Sequence, residues 1–381
     1  MEERKVKVSR LTHILLAVLV TATLLLAACQ PAATPEPTAT PTQAPTNTPV
    51  PPSPTPEPPT ATPEPAIGSP EHPIKVLFVP SVDANVIVSG GKIMADALNK
   101  ATGLTFEVSV PTSYAATIEE MCASPKDTIG FIPGLGYVLA NQLCGVDVAF
   151  KAVRFGSDVY WAQILVPRDS DIKELKDLDG KKWGYTDPGS TSGYLVPLAM
   201  FKDAGIKPGE SVETGGHPQA VKAVYNGEVD FATTFYTPPL KPADQPKWKE
   251  GDAPDIPDEL VPTCKVTEDK KNIDCSGWTV LDARRNIREE APDVIQKVRV
   301  LAISPAIPND TLSFGPEFPA DLRAQIEKAL VEFAKTEDWQ KSIGSQDFYG
   351  WTGLSPAKDA DYDFVRKMVE AAGITLESLG K

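Results

Sequence analysis

Residues 182–204 read KWGYTDPGSTSGYLVPLAMFKDA. Positions 182–185 form a short β-like run, and the stretch from about 190 to 204 reads as a helix. Between them, Asp187, Pro188, Gly189, Ser190, Thr191, Ser192 and Gly193 put three hydroxyls and several free amides at a helix N-terminus. First-turn N–H groups have no intrahelical acceptor, the helix dipole is positive at that end, and Ser and Thr add neutral donors. Such a turn suits an anion. For an isolated Ser-Thr-Ser, ordinary capping by one serine is the better account.

The strand–helix alternation continues on both sides. Upstream, strands are expected at 74–79, 104–110 and 128–132, with helices at 92–100, 114–121 and 136–143. Two β-like runs then follow directly, 146–153 and 159–166, separated by Gly156 and Ser157. A second series comprises helices at 172–178, 190–204 and 218–225 and strands at 182–185 and 229–234. A strand at 298–303 and helices at 320–334 and 359–372 complete the chain. Alternation of this kind predicts an α/β fold with mainly parallel sheets, and the doubled strand marks a passage between two lobes. The expectation is a first lobe from residues 74–165 and 306–381 and a second from 166–305, with crossings near 158–168 and 303–312. Residues 237–290, rich in proline, lysine and acids, lack core periodicity and read as a surface insertion.

The N-terminus is of a different kind. Arg4, Lys5, Lys7 and Arg10 precede an apolar run at 14–28 that ends Leu26-Ala27-Ala28-Cys29. A basic start followed by such a run is a signal peptide, residues 1–28. Small residues directly before Cys29 resemble the lipobox of bacterial lipoproteins, which implies acylation of Cys29. The remainder is then extracytoplasmic, lipid-anchored to the outer face of the bacterial cytoplasmic membrane. Fifteen of the 38 prolines fall at 31–70, so residues 29–73 cannot bury enough apolar surface to offset the entropy of ordering. They read as a disordered stalk, about 3.1 Å per residue where extended and so reaching up to roughly 120 Å.

The formal net charge of -14 excludes nucleic acid as a partner, because phosphate backbones are bound by basic faces. Beyond Cys29 the cysteines are Cys122, Cys144, Cys264 and Cys275. An even number in an oxidising compartment predicts disulfides, and proximity favours Cys122 with Cys144 and Cys264 with Cys275, each worth roughly 3 kcal/mol. No metal-ligand spacing and no cofactor motif occurs. Gly90-Gly91-Lys92 is not a phosphate loop, since Val86 and Ile93 occupy its glycine and hydroxyl positions. Thr191 stands where a nucleophile elbow needs serine, and beyond the leader only His72 and His217 offer an imidazole. A hydrolase is therefore disfavoured.

The segment DPGSTSGYLVP at 187–197 resembles the signature of the phosphonate-binding family of ABC-transporter periplasmic proteins, which includes phosphite and phosphate binders. Tyr114 in YAATIEEM, Tyr160 in VYWAQILV, His217 in GGHPQAV and Asp310 in SPAIPND agree in order and spacing. The resemblance implies a type II periplasmic-binding-protein-like fold, two α/β lobes joined by a two-strand hinge with the ligand between them. It makes Ser190, Thr191 and Ser192 donors to a small phosphorus oxyanion, helped by Tyr114, Tyr160 and His217. It makes Asp310 an acceptor for a proton-bearing ligand group. The implied partner is an ABC permease and the implied state a monomer; a sensor-coupled or surface receptor would use the same fold. Aminoalkylphosphonate binders carry an acid just after the strand at 229–234, where this chain has Thr237 and two prolines. An ammonium group lacks that partner, so phosphite, methylphosphonate or phosphate is expected, held by neutral donors.

Overall fold

A computed structural model describes residues 64–379; the leader, Cys29 and the expected stalk up to 63 lie outside them. The last part of that stalk instead packs on the first lobe, with the Gly68 carbonyl accepting the Thr105 N–H at 2.7 Å and His72 paired with Asp127. The chain builds the first sheet from β1 (Ile74–Phe78), β2 (Phe106–Ser109), β3 (Thr128–Ile132) and β4 (Asp147–Val153). Helices α1 (Ala84–Thr102), α2 (Tyr114–Ala123) and α3 (Gly134–Cys144) connect them. Every residue of β3 is buried, as a strand covered on both faces requires. Asp83 caps α1 by accepting the Asn85 N–H at 2.9 Å, and Ser113 caps α2 by accepting that of Ala116 at 3.1 Å. Each cap fixes where a helix starts, and the α2 start faces the cleft.

The second sheet contains β5 (Val159–Pro167), β6 (Trp183–Tyr185), β7 (Ser211–Glu213), β8 (Phe231–Tyr236) and β12 (Val298–Ile303), in the order β12-β5-β8-β6-β7. Helices α4 (Val196–Asp203) and α5 (His217–Tyr225) belong to this part. The chain returns through β13 (Ile307–Pro308) to β14 (Thr311–Phe314), with β15 (Gly353–Pro356) last. The first sheet then runs β15-β4-β14-β3-β1-β2. Neighbours β1, β2 and β3 are parallel, whereas β14 runs antiparallel to both β3 and β4, and β5 to both β8 and β12, so the sheets are mixed rather than mainly parallel as the alternation predicted. These are the two mixed lobes of a type II binding-protein fold.

Two further expectations need correction. β5 lies wholly in the second sheet, paired with β8 and β12, so the chain changes sheets between Val153 and Val159 and a lobe boundary at 165 falls inside a strand. The return lies between Ile303 and Thr311. The second correction concerns 237–290, which is no mere surface insertion. It forms a three-stranded antiparallel sheet of β9 (Lys265–Val266), β10 (Ile273–Cys275) and β11 (Trp278–Thr279), and a Cys264–Cys275 disulfide staples it. Ile256, Val261, Ile273, Val280, Ala283 and Ile287 share one apolar core with α5 and β12. Paired cysteines and many short turns hid this core from periodicity. The other disulfide, Cys122–Cys144, joins the C-terminal ends of α2 and α3, so both local pairings hold.

Candidate functional site

The turn after β6 is built by short-range chemistry. Asp187 accepts the Gly189 N–H at 2.6 Å, a side-chain turn typical of Asp-Pro-Gly. Ser190 Oγ then accepts the Gly193 N–H at 3.1 Å, so capping and ligand donation are compatible, because the hydroxyl proton stays free. The expected helix opens as a π-helical turn, Thr191–Leu195, before α4, an irregularity common at functional sites. A cross-brace holds it: Trp183 Nε1 donates to Thr233 Oγ1 at 2.9 Å, and that hydroxyl donates to the Gly193 carbonyl at 2.5 Å. Gly193 has no room for a side chain, since a Cβ there would overlap Thr186.

The first lobe closes directly on this turn. A Cβ on Gly189 would lie 2.5 Å from Tyr114 Cβ. Burial pushes the Asp187 carboxylate up in pKa, while the nearby Gly189 and Tyr114 backbone amides pull it down. Leu135, at the start of α3, donates its N–H to Thr191 Oγ1 at 2.8 Å. The His217 N–H meets the Ser81 carbonyl at 3.4 Å.

A cavity of about 80 Å³ lies between the lobes, and Tyr114, Tyr160, Ser190, Ser192, His217 and Asp310 all line it. Thr191 does not; it is fully buried behind the wall. Burial keeps the Tyr114 and Tyr160 phenols protonated by raising their pKa values, with the nearby Ser192 and Thr191 hydroxyls partly opposing the shift at Tyr160. His217 is neutral, its pKa pulled down to about 3 by burial and then by the Arg154 charge. Its Nδ1 accepts the Phe235 N–H at 3.3 Å, which leaves Nε2–H as the donor. Asp310 is the sole carboxylate among the described lining residues, and its Oδ2 lies 2.6 Å from Arg154.

The site is not built from neutral donors alone. Arg154 and Arg285 both line it, with Leu281, Asn286, Gln346 and Tyr349. Arg154 ends a strand and Arg285 sits in the segment taken for surface, so neither stood near the hydroxyl-rich motif in sequence. His72 takes no part; it pairs with Asp127 at 2.8 Å.

Two mixed sheets, paired crossings and a small cavity between them are the architecture of the solute-binding proteins of ABC importers. The chain belongs to the family described as ABC transporter, phosphonate, periplasmic substrate-binding protein, whose profile matches residues 76–362. It is 27% identical over 317 residues to the phosphate-import protein PhnD of Mycolicibacterium smegmatis, covering 79% of this chain and 86% of the relative. It is 28% identical over 278 residues to the phosphonates-binding periplasmic protein of Escherichia coli K12, covering 71% and 68%. Among solved structures, a phosphonate-transporter binding component from Pseudomonas aeruginosa aligns with TM-score 0.60 at 17% identity, over 79% of this chain and 86% of that one. PhnD1 of Prochlorococcus marinus in complex with methylphosphonate aligns with TM-score 0.57 at 14% identity, over 79% and 98%. The family binds solutes for transport rather than catalysing a reaction.

Proposed function

We propose that this protein captures a small phosphorus oxyanion that carries no amine, namely phosphite, phosphate or a short alkylphosphonate, and presents it to an ABC permease. The observation that carries the reading is Thr237. It lies in the cavity wall and is 7% exposed, where an acid would be needed to pair an ammonium group. The one lining carboxylate, Asp310, is already paired with Arg154, and two guanidinium groups would repel a ligand cation. The M. smegmatis relative named for phosphate import and the methylphosphonate complex of the P. marinus protein agree with an amine-free ligand for this chain.

In this reading Ser190, Ser192, Tyr114, Tyr160 and His217 donate to the oxyanion, Thr191 acts from behind the wall, and Asp310 accepts from a protonated ligand oxygen. Directed bonds from a dry, fixed site hold an anion better than mobile water does. The chain acts as a monomer on a lipid anchor at Cys29, with the proline-rich residues that precede the folded part as a tether. The two lobes, one from residues 74–153 and 311–379 and the other from 159–303, close over the ligand. Calorimetry with phosphite, phosphate, methylphosphonate and 2-aminoethylphosphonate tests it: micromolar or tighter binding of one of the first three is expected, and no heat with any of them sinks the reading. Metabolic labelling with a fatty acid should mark the wild type and not Cys29→Ser.

A further inference from the structure

The 3₁₀ turn Ala283–Ile287 carries two arginines, and a third follows directly. All three are buried, at 1%, 4% and 4% exposure for Arg284, Arg285 and Arg288. Two have carboxylate partners. Arg284 lies 2.7 Å from Asp255 and 2.9 Å from Asp282, and Arg288 lies 2.9 Å from Asp347. Arg285, between them, bonds only neutral oxygens, the side-chain amide and carbonyl of Gln346. No carboxylate among the described residues is in ion-pair reach of it, and its Nε has no partner at all. Neighbouring Asn286 also has a buried, unpartnered Oδ1, and both residues line the interlobe cavity.

An unpaired guanidinium out of water is costly, whereas a paired one is tolerated. The flanking arginines show how this chain neutralises such charges when they serve packing. Arg285 stays a cation at neutral pH, since burial lowers its pKa only to about 10, with Asp347 and Asp282 opposing that and Arg288 adding to it. The other charged groups on the cavity wall are Arg154 and Asp310, which satisfy each other. Arg285 is therefore the one lining cation left without an anion among the described residues.

We infer that Arg285 is a ligand-binding residue whose missing partner is the bound anion, and that its charge raises affinity for dianions more than for monoanions, against the opposite bias of Asp310. This rests on the oxyanion reading of the cleft. Every donor gains when the ligand brings a second negative charge, but a full positive charge at contact distance gains more than a neutral dipole does. The 237–290 segment thus supplies a specificity residue that the hydroxyl-rich motif lacks.

The test compares methylphosphonate, mainly a dianion at pH 8, with dimethylphosphinate, a monoanion of similar shape. Affinities of wild type, Arg285→Gln and Arg285→Lys would be measured by calorimetry, and ligand-free melting temperatures alongside. Arg285→Gln should lose about 100-fold in methylphosphonate affinity and less than about fivefold for dimethylphosphinate. Arg285→Lys should recover at least about tenfold of the loss. Ligand-free Arg285→Gln should melt no lower than wild type, because a costly charge has gone. Equal losses for both ligands, no loss, or a lower ligand-free melting temperature would overturn the assignment. If wild type binds but the glutamine variant binds equally well, only the arginine assignment fails. If wild type binds neither probe, the reading of the cleft fails and takes the arginine with it.

Discussion

The hydroxyl of Thr191 accepts the backbone N–H of Leu135 at 2.8 Å, tying the turn of the second sheet to a helix start of the first. Its side chain acts on closure before it acts on any ligand. Thr191→Ala leaves that amide unpaired in a dry interface, a loss of about 1–2 kcal/mol, so binding should weaken roughly 5- to 30-fold. Thr191→Ser should stay within about threefold. Calorimetry paired with small-angle scattering checks this, because the alanine variant should populate an open shape at ligand levels that close the wild type.

His217 makes a prediction about acid. Its pKa lies at about 3 in the folded protein, below the ordinary value of about 6.5 that the unfolded chain has. Between those values the unfolded state binds the extra proton, so stability rises with pH across the window. The contribution is complete above about pH 6.5 and is lost as pH falls towards 3. Melting curves at pH 7.5 and 4.5 should lie closer together in His217→Gln than in wild type; an unchanged gap would mean the imidazole does not titrate this way.

Thr237 predicts discrimination. Wild type should bind methylphosphonate at least about 100-fold more tightly than 2-aminoethylphosphonate, whose ammonium group finds no acid. Thr237→Glu should narrow that ratio about tenfold or more. Similar affinities for both ligands in wild type would count against the amine-free assignment.

Asp310 now has a second role beyond the one its sequence suggested. It neutralises Arg154 across 2.6 Å, so Asp310→Asn removes a repulsive carboxylate and frees a guanidinium at once. Affinity for a fully deprotonated phosphonate at pH 8 should rise, by about tenfold. A fall would show that the pair is needed mainly to hold Arg154 in place.

The Cys264–Cys275 bridge spans 11 residues and fastens the segment that leads to Arg285. Replacing both cysteines with alanine should cost about 2–3 kcal/mol of stability. It should also weaken methylphosphonate binding, since the turn loses its anchor. Chemical denaturation and calorimetry on the same sample separate the two effects.

The strands and helices around the hydroxyl turn were legible because their burial is periodic. β3 matches its expected 128–132 bounds, and α5 begins one residue before its expected start. The site residues Ser190, Ser192, Tyr114, Tyr160, His217 and Asp310 were readable because a resemblance linked them; they converge on one cavity. What stayed hidden depends on distant partners. β14 is four residues, too short for periodicity, yet it is wholly buried between β3 and β4. Arg154 and Arg285 look like ordinary surface cations until the fold brings Asp310 to one and leaves the other without an acid. Thr191 was assigned to the ligand by its place in the motif, and only the closed lobes reveal Leu135 behind it.

β5 pairs antiparallel with β13, Tyr160 opposite Ile307 and Val159 opposite Pro308. The outward and return crossings are thereby stitched into one ribbon, and neither can twist without the other. The lobes are left in effect a single rotational degree of freedom. If a bound anion moves that ribbon, what a membrane partner receives is closer to a binary message than to a graded one. Tyr160 belongs at once to the ribbon and to the cavity wall, so the residue that would feel the anion is part of the axle on which the message turns.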